Sequence, residues 1–127
     1  MYSVQVGHKK DLVFQAKAGE FAFDIDAKGK EGISPPDVLL ASLGSCIGVY
    51  IRKYSDGARL DLKDFSITLS ADLSPEAPVR FQRIEVAVNL KGSLTDERRI
   101  SALLEFIKNC PVHNTLKGSP QVEVNVA

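Results

Sequence analysis

Ser34-Pro-Pro-Asp-Val-Leu-Leu-Ala-Ser-Leu-Gly-Ser-Cys46-Ile-Gly-Val-Tyr50 decides the reading of this chain. Ser34 is a good helix N-cap, because its hydroxyl can accept from an amide of the first turn. Pro35 suits the first helical position, where an N–H has no intrahelical partner anyway. Asp37 stands where the acid of a capping box belongs. The residues that follow are apolar on nearly every side, which predicts a buried helix from Ser34 to about Tyr54, before the Asp56-Gly57 turn.

Working outward, three short strands precede this helix. Tyr2, Val4 and Val6 alternate with polar or small residues. Leu12 and Phe14 share a face of the next run, and Phe21, Phe23 and Ile25 mark a third after an Ala18-Gly19 turn. Residues 27–32 read as a mobile loop. Beyond the helix, Phe65, Ile67, Leu69 and Ala71 share one strand face. Ile84, Val86, Val88 and Leu90 share another, and the two runs are joined by 74–78. A second helix starts near Thr95 with acids in its first turn, and its apolar face is Ile100, Leu103, Leu104 and Ile107. Pro111 ends it near Cys110 and can open a short helix that stops at Gly118. Residues 121–126 alternate cleanly and predict a final strand. The order βββ-α-ββ-α-β is an α+β fold, with helices covering one face of a largely antiparallel sheet.

The 127 residues predict one domain over 1–127. Hydrophobic content of 44% and charged content of 25% are ordinary for a globular chain. Sixteen basic and sixteen acidic residues cancel, so no electrostatic footprint for nucleic acid or an anionic membrane exists. Arg52 and Lys53 close the longest apolar run well short of a membrane span. The opening residues lack the charged and apolar regions of a signal peptide. A cytoplasmic location is therefore expected, where a disulfide is more often transient and catalytic than structural.

Ala41, Gly44, Ser45 and Gly48 form a small-residue stripe at i, i+3, i+4 and i+7. Two glycines on one helical face indicate a close approach. The neighbour is either this chain's own sheet or the same helix of a second subunit.

The two cysteines admit two readings. Cys46 on an apolar helix is either a small buried hydrophobe or a nucleophile, and as a nucleophile it needs a lowered pKa. It lies too far from the helix N-terminus for the dipole to supply that. Cys110 is either a core residue ending a helix or a thiol at the start of the next one, where exposed amides acidify it. Cys46, Cys110, His113 and His8 are a possible zinc set, but their scattered spacing argues against metal, and no metal or cofactor is expected. There is no P-loop, dinucleotide fingerprint or nucleophile-elbow serine.

Ser34 to Cys46 resembles the signature of the OsmC/Ohr family, the osmotically inducible and organic-hydroperoxide-resistance proteins. In that family a proline and an acid, followed by leucines, small residues and a cysteine, open the long central helix. Cys110-Pro111 resembles the family's second cysteine motif. Element order and chain length are similar too, so the likeness spans essentially the whole chain. The resemblance implies an OsmC-like fold and an intertwined homodimer with two sites at the subunit interface. It further implies a peroxidatic Cys46, a resolving Cys110, a small-molecule organic hydroperoxide as oxidant and an external dithiol as reductant. Two features depart from the peroxidases. No arginine precedes Arg52, so His8, Lys9 and Lys10 are the nearest substitutes for the arginine that stabilises the thiolate. Arg52, Arg80 and Arg83 are later alternatives. Pro36 stands where the peroxidases carry a glutamate, and Asp37 follows it. These departures are similar to the broad OsmC-like branch. The expected function is thiol-dependent peroxidase chemistry at Cys46 and Cys110. The alternative is a divergent relative that binds a small apolar ligand at the dimer interface or senses redox state.

Overall fold

Alternation in the first thirty residues produces β1 (Gln5–Lys10), β2 (Val13–Ala18) and β3 (Phe21–Asp26). The computed structural model describes residues 1–62 and 64–127 and divides into two units, Met1–Ala41 and Ser42–Ala127. In the first unit the three strands pair antiparallel in the order β1-β2-β3. Val6 faces Ala16 across β1 and β2, and Phe14 faces Ile25 across β2 and β3. The tight turns use left-handed residues, Asp11 at φ 45° and Gly19 at φ 60°. Asp tolerates that region better than most side chains, and glycine does so freely.

The loop over 27–32, expected to be mobile, is wound around one carboxylate instead. Asp26 is buried and accepts from the amides of Lys28 at 2.9 Å, Glu31 at 3.0 Å and Lys30 at 3.3 Å. Those hydrogen bonds, led by Glu31, hold its carboxyl below the usual carboxylate range. Gly32 lets the loop close, because a Cβ there would sit 2.5 Å from the Asp24 carbonyl oxygen. A parallel bridge joins Ile25 to Ile33.

Helix α1 (Pro35–Gly57) begins as its sequence predicts and runs three residues past the expected end. The Ser34 hydroxyl accepts from the Asp37 amide at 3.3 Å and donates to its carboxylate at 2.7 Å. The acid thus grips the cap's side chain. In a capping box it would take the cap's backbone amide.

In the second unit β4 (Ser66–Leu73) and β5 (Phe81–Asn89) form an antiparallel hairpin, Leu69 facing Val86. Helices α2 (Glu97–Ile107) and α3 (Pro111–Gly118) follow. Asp96 caps α2 by accepting from the Arg98 amide at 2.9 Å. The core gathers Leu43, Ile47 and Ile51 of α1 with Leu62, Leu103 and Cys110. Ile67, Leu69, Ile84 and Val88 of the hairpin pack against it. One stripe of α1 therefore covers one face of the hairpin, as helix-on-sheet layering requires. Leu104, assigned to the buried face of α2, is instead exposed.

The small-residue stripe divides. Gly44 and Gly48 face β4 of the same chain, where an added Cβ would lie 2.5 Å from Leu69 Cδ1 and 3.5 Å from Ile67 Cδ1. Ala41 and Ser45 stay exposed. The glycines therefore answer to this chain's own sheet.

Two expectations need correction. The antiparallel strands make two separate sheets, of three and two strands. The final strand does not form among the described residues: 121–126 has no strand pairing, and Val122, Val124 and Val126 are exposed. Alternation prepares a segment to be a strand, but a strand needs an edge to pair with, and none reaches it here.

Candidate active site: the Cys46–Cys110 thiol pair

Helix α1 carries Cys46 beside the buried Leu43 and Ile47, so its thiol packs against the core while remaining partly open to solvent. Cys110 is fully buried. It lies where two helices meet. Its amide donates to the Ile107 carbonyl at 3.0 Å, closing α2. Its own conformation is extended, as expected before proline, and it is the N-cap of α3. Its sulfur accepts from the His113 amide at 3.4 Å.

The two thiols are free, and Cys46 packs against the core cluster that holds Cys110. Burial pushes the Cys110 pKa up, and the contact with Cys46 adds to the rise. The His113 and Val112 amides pull it down, and they do not win. Acidification by a helix N-terminus, expected from position alone, is thus outweighed by desolvation. Cys110 is a protonated thiol at neutral pH. The arrangement sets a half-open sulfur on α1 against the core cluster that seals the other.

The three basic groups expected to serve Cys46 lie in the first unit, each with a local partner. Lys9 pairs with Asp24 at 2.8 Å and Lys10 with Glu31 at 2.9 Å. The hydrogen bond that Lys10 donates to Glu31 raises the Lys10 pKa. His8 Nε2 lies 2.9 Å from the Asp11 carbonyl, and its ring tilts against Phe14. Of the later alternatives, Arg52 donates to the Leu62 carbonyl at 2.8 Å, Arg80 to the Pro78 carbonyl at 3.1 Å, and Arg83 pairs with Glu85 at 3.0 Å. Among the described residues no three His, Cys, Asp or Glu side chains converge as metal ligands. No helix of the described residues is long and apolar enough to cross a membrane.

Sequence reasoning missed a second feature. A cleft of about 490 Å³ opens between α1, β5, α2 and α3. Leu43, Ile47, Ile84 and Ile107 are among the residues that line it, and Gln82, Arg83, His113 and Lys117 stand around it. Neither cysteine lines it. The signal was present: Gln82, Ile84, Val86 and Val88 share one strand face, and His113 and Lys117 are spaced i, i+4.

A family model described as OsmC-like protein matches residues 27–125. The chain is 25% identical to a hydroperoxide reductase of Mycoplasma genitalium, over 99% of this chain and 94% of that protein. It is 23% identical to a hydroperoxide reductase of Mycoplasma pneumoniae, over 98% and 93%. Its fold superposes on the crystal structure of an OsmC-like protein from Mycoplasma pneumoniae with a TM-score of 0.81 and 20% identity, covering 100% of this chain and 94% of that one. With nearly the whole segment from the Asp26 loop to the terminal alternating stretch matched, this chain belongs to the OsmC-like protein family.

Proposed function

We propose that the chain is a thiol-dependent hydroperoxide reductase working through Cys46 and Cys110. The observation that carries this reading is a half-open thiol, Cys46, packed against the core cluster that buries the other, Cys110. The relatives named hydroperoxide reductase support the same chemistry. The Cys46 thiolate attacks the terminal oxygen of an organic hydroperoxide. The O–O bond breaks, the departing alkoxide takes a proton and leaves as an alcohol, and Cys46 becomes a sulfenic acid. The Cys110 sulfur then attacks the Cys46 sulfur. The sulfenic oxygen leaves as water with the Cys110 proton, and a disulfide forms. An external dithiol returns both thiols by exchange and is itself oxidised to a disulfide. The raised Cys110 pKa keeps that thiol from competing for the oxidant in the first step, and its proton must leave as the sulfur attacks in the second.

The same reading includes a homodimer. Phe21 is 82% exposed, and the unpaired 121–126 segment shows its valines to solvent. Exposed apolar residues and an unpaired strand suit pairing with a second copy. Sedimentation equilibrium at micromolar concentration should show a dimer, and a stable monomer would defeat this part.

Peptide mapping under non-reducing conditions tests the chemistry. A stoichiometric organic hydroperoxide should join Cys46 to Cys110 within one chain, reversibly by dithiol. In Cys110→Ser, Cys46 should accumulate as sulfenic or sulfinic acid. Two free thiols after excess hydroperoxide would refute the mechanism.

A further inference from the structure

We infer that the cleft between α1, β5, α2 and α3 is a binding site for an amphipathic carboxylate, a monoanion with an apolar tail. Its volume of about 490 Å³ falls within the range of small-molecule sites. Its walls are mainly hydrocarbon: Leu43 and Ile47 from α1, Ile84 and Val88 from β5, Leu104 and Ile107 from α2. Val86 and Leu104 remain exposed within it, so apolar surface is left for a tail to cover.

The polar groups stand together. Gln82 borders the cleft from the irregular start of β5, and His113 and Lys117 project from one side of α3. All three offer N–H donors. Among the described residues no Asp or Glu lines the cleft. Arg83 also borders it, but its guanidinium is held by Glu85 at 3.0 Å. Lys117 has no carboxylate within ion-pair reach among the described residues. One uncompensated ammonium beside an amide and an imidazole matches a single negative charge, and the apolar walls match a tail. A phosphate or a nucleotide would leave those walls unfilled.

Neither sulfur lines the site, so ligand binding there does not call on the thiols. Calorimetric titration of octanoate into the reduced full chain should give one saturable site per chain. Lys117→Glu should weaken it at least about tenfold, while Lys117→Arg, which keeps the charge, should not. Ile84→Trp and, separately, Leu116→Trp should fill the cleft and remove binding while circular dichroism stays native. Two variants guard against one that misfolds. The uncharged 1-octanol should bind at least about tenfold more weakly than octanoate. Binding in Cys46→Ser/Cys110→Ser should match the native protein, so failure of the peroxidase chemistry would leave this result standing. No saturable octanoate binding at millimolar concentration, equal affinity for octanol, or indifference to Lys117→Glu would each overturn the inference. So would an absence of octanoate binding combined with dissociation of an oligomer by the tryptophan variants, which would give the cleft to a second copy of the chain.

Discussion

The Cys110 thiol is sealed from solvent, whereas the Cys46 thiol, packed against the same core cluster, keeps an open side. Reagents should therefore distinguish the two sulfurs. Iodoacetamide on the native reduced protein is expected to label Cys46 first, with Cys110 reacting only as the fold opens. In denaturant both should label at similar rates. Mass spectrometry of partly labelled protein checks this, and preferential labelling of native Cys110 would contradict the burial order.

Burial and the Cys46 contact both raise the Cys110 pKa above the ordinary thiol value of ~8.5. A group whose folded pKa is raised stabilises the fold fully below its unfolded pKa, and that contribution is lost as pH rises through the folded value. Reduced protein should lose thermal stability from about pH 8.5 upward. Cys110→Ala should start lower but decline less over that window. Parallel slopes from pH 7 to 10 would show that Cys110 does not set the alkaline limb.

Much of this fold is legible because its signals are local. Ser34 and Asp37 make contacts within one helical turn, and the hairpins follow from alternation around turn residues. Signals that need a distant partner are less decisive. The Gly44/Gly48 stripe announces a close approach without saying to what, and only the positions of Ile67 and Leu69 resolve it. The valines of 121–126 announce a strand without supplying an edge. The expected pairing of Cys46 with Cys110 rests on resemblance to a family, since spacing alone leaves core filling open. The sign of the Cys110 shift was misjudged because helix position is visible in sequence and burial is not. The cleft escaped notice because four separate elements build it.

The two α1 glycines should respond differently to alanine. At Gly48 the new methyl would sit at ordinary contact distance, 3.5 Å from Ile67 Cδ1. Gly48→Ala should therefore gain up to ~1 kcal/mol of helix propensity. At Gly44 the methyl would sit 2.5 Å from Leu69 Cδ1, so that side chain must move. Overpacking costs ~1–3 kcal/mol, enough to cancel or reverse the propensity gain. Urea unfolding of Gly44→Ala, Leu69→Val and the double variant should show favourable coupling, the shorter side chain making room for the methyl. Additive effects would mean that the two sites do not press on each other.

Ser55 is fully buried near the end of α1. Its hydroxyl donates to the Leu60 carbonyl at 2.6 Å and accepts from the Leu62 amide at 3.0 Å, turning the chain back into the core. Ser55→Ala removes both bonds and leaves the buried Leu62 N–H without its acceptor. That should cost ~1–3 kcal/mol in urea unfolding. Hydrogen exchange should show the Leu62 amide losing protection first. A loss of a few tenths would mean that water replaces the hydroxyl.

Asp26 gives the acid limb. Its carboxylate is buried and takes three loop amides, which lowers its pKa. A depressed folded pKa means that the unfolded chain binds the proton more readily. The contribution is therefore complete above the unfolded carboxyl value of ~3.9 and is lost as pH falls through the lower folded value. Asp26→Asn keeps one acceptor oxygen but turns an NH₂ toward amides that are themselves donors. The variant should be less stable than the native protein at pH 7, with a flatter dependence below pH ~4. The gap between the two should narrow on acidification, because protonation also spoils the native acceptor. Denaturant unfolding of both proteins at intervals from pH 7 to pH 3 measures this directly, and amide exchange at Lys28, Lys30 and Glu31 localises it to the loop. A gap that stays constant across that range would show that the three amides hold the side chain by shape alone, without favouring its charge.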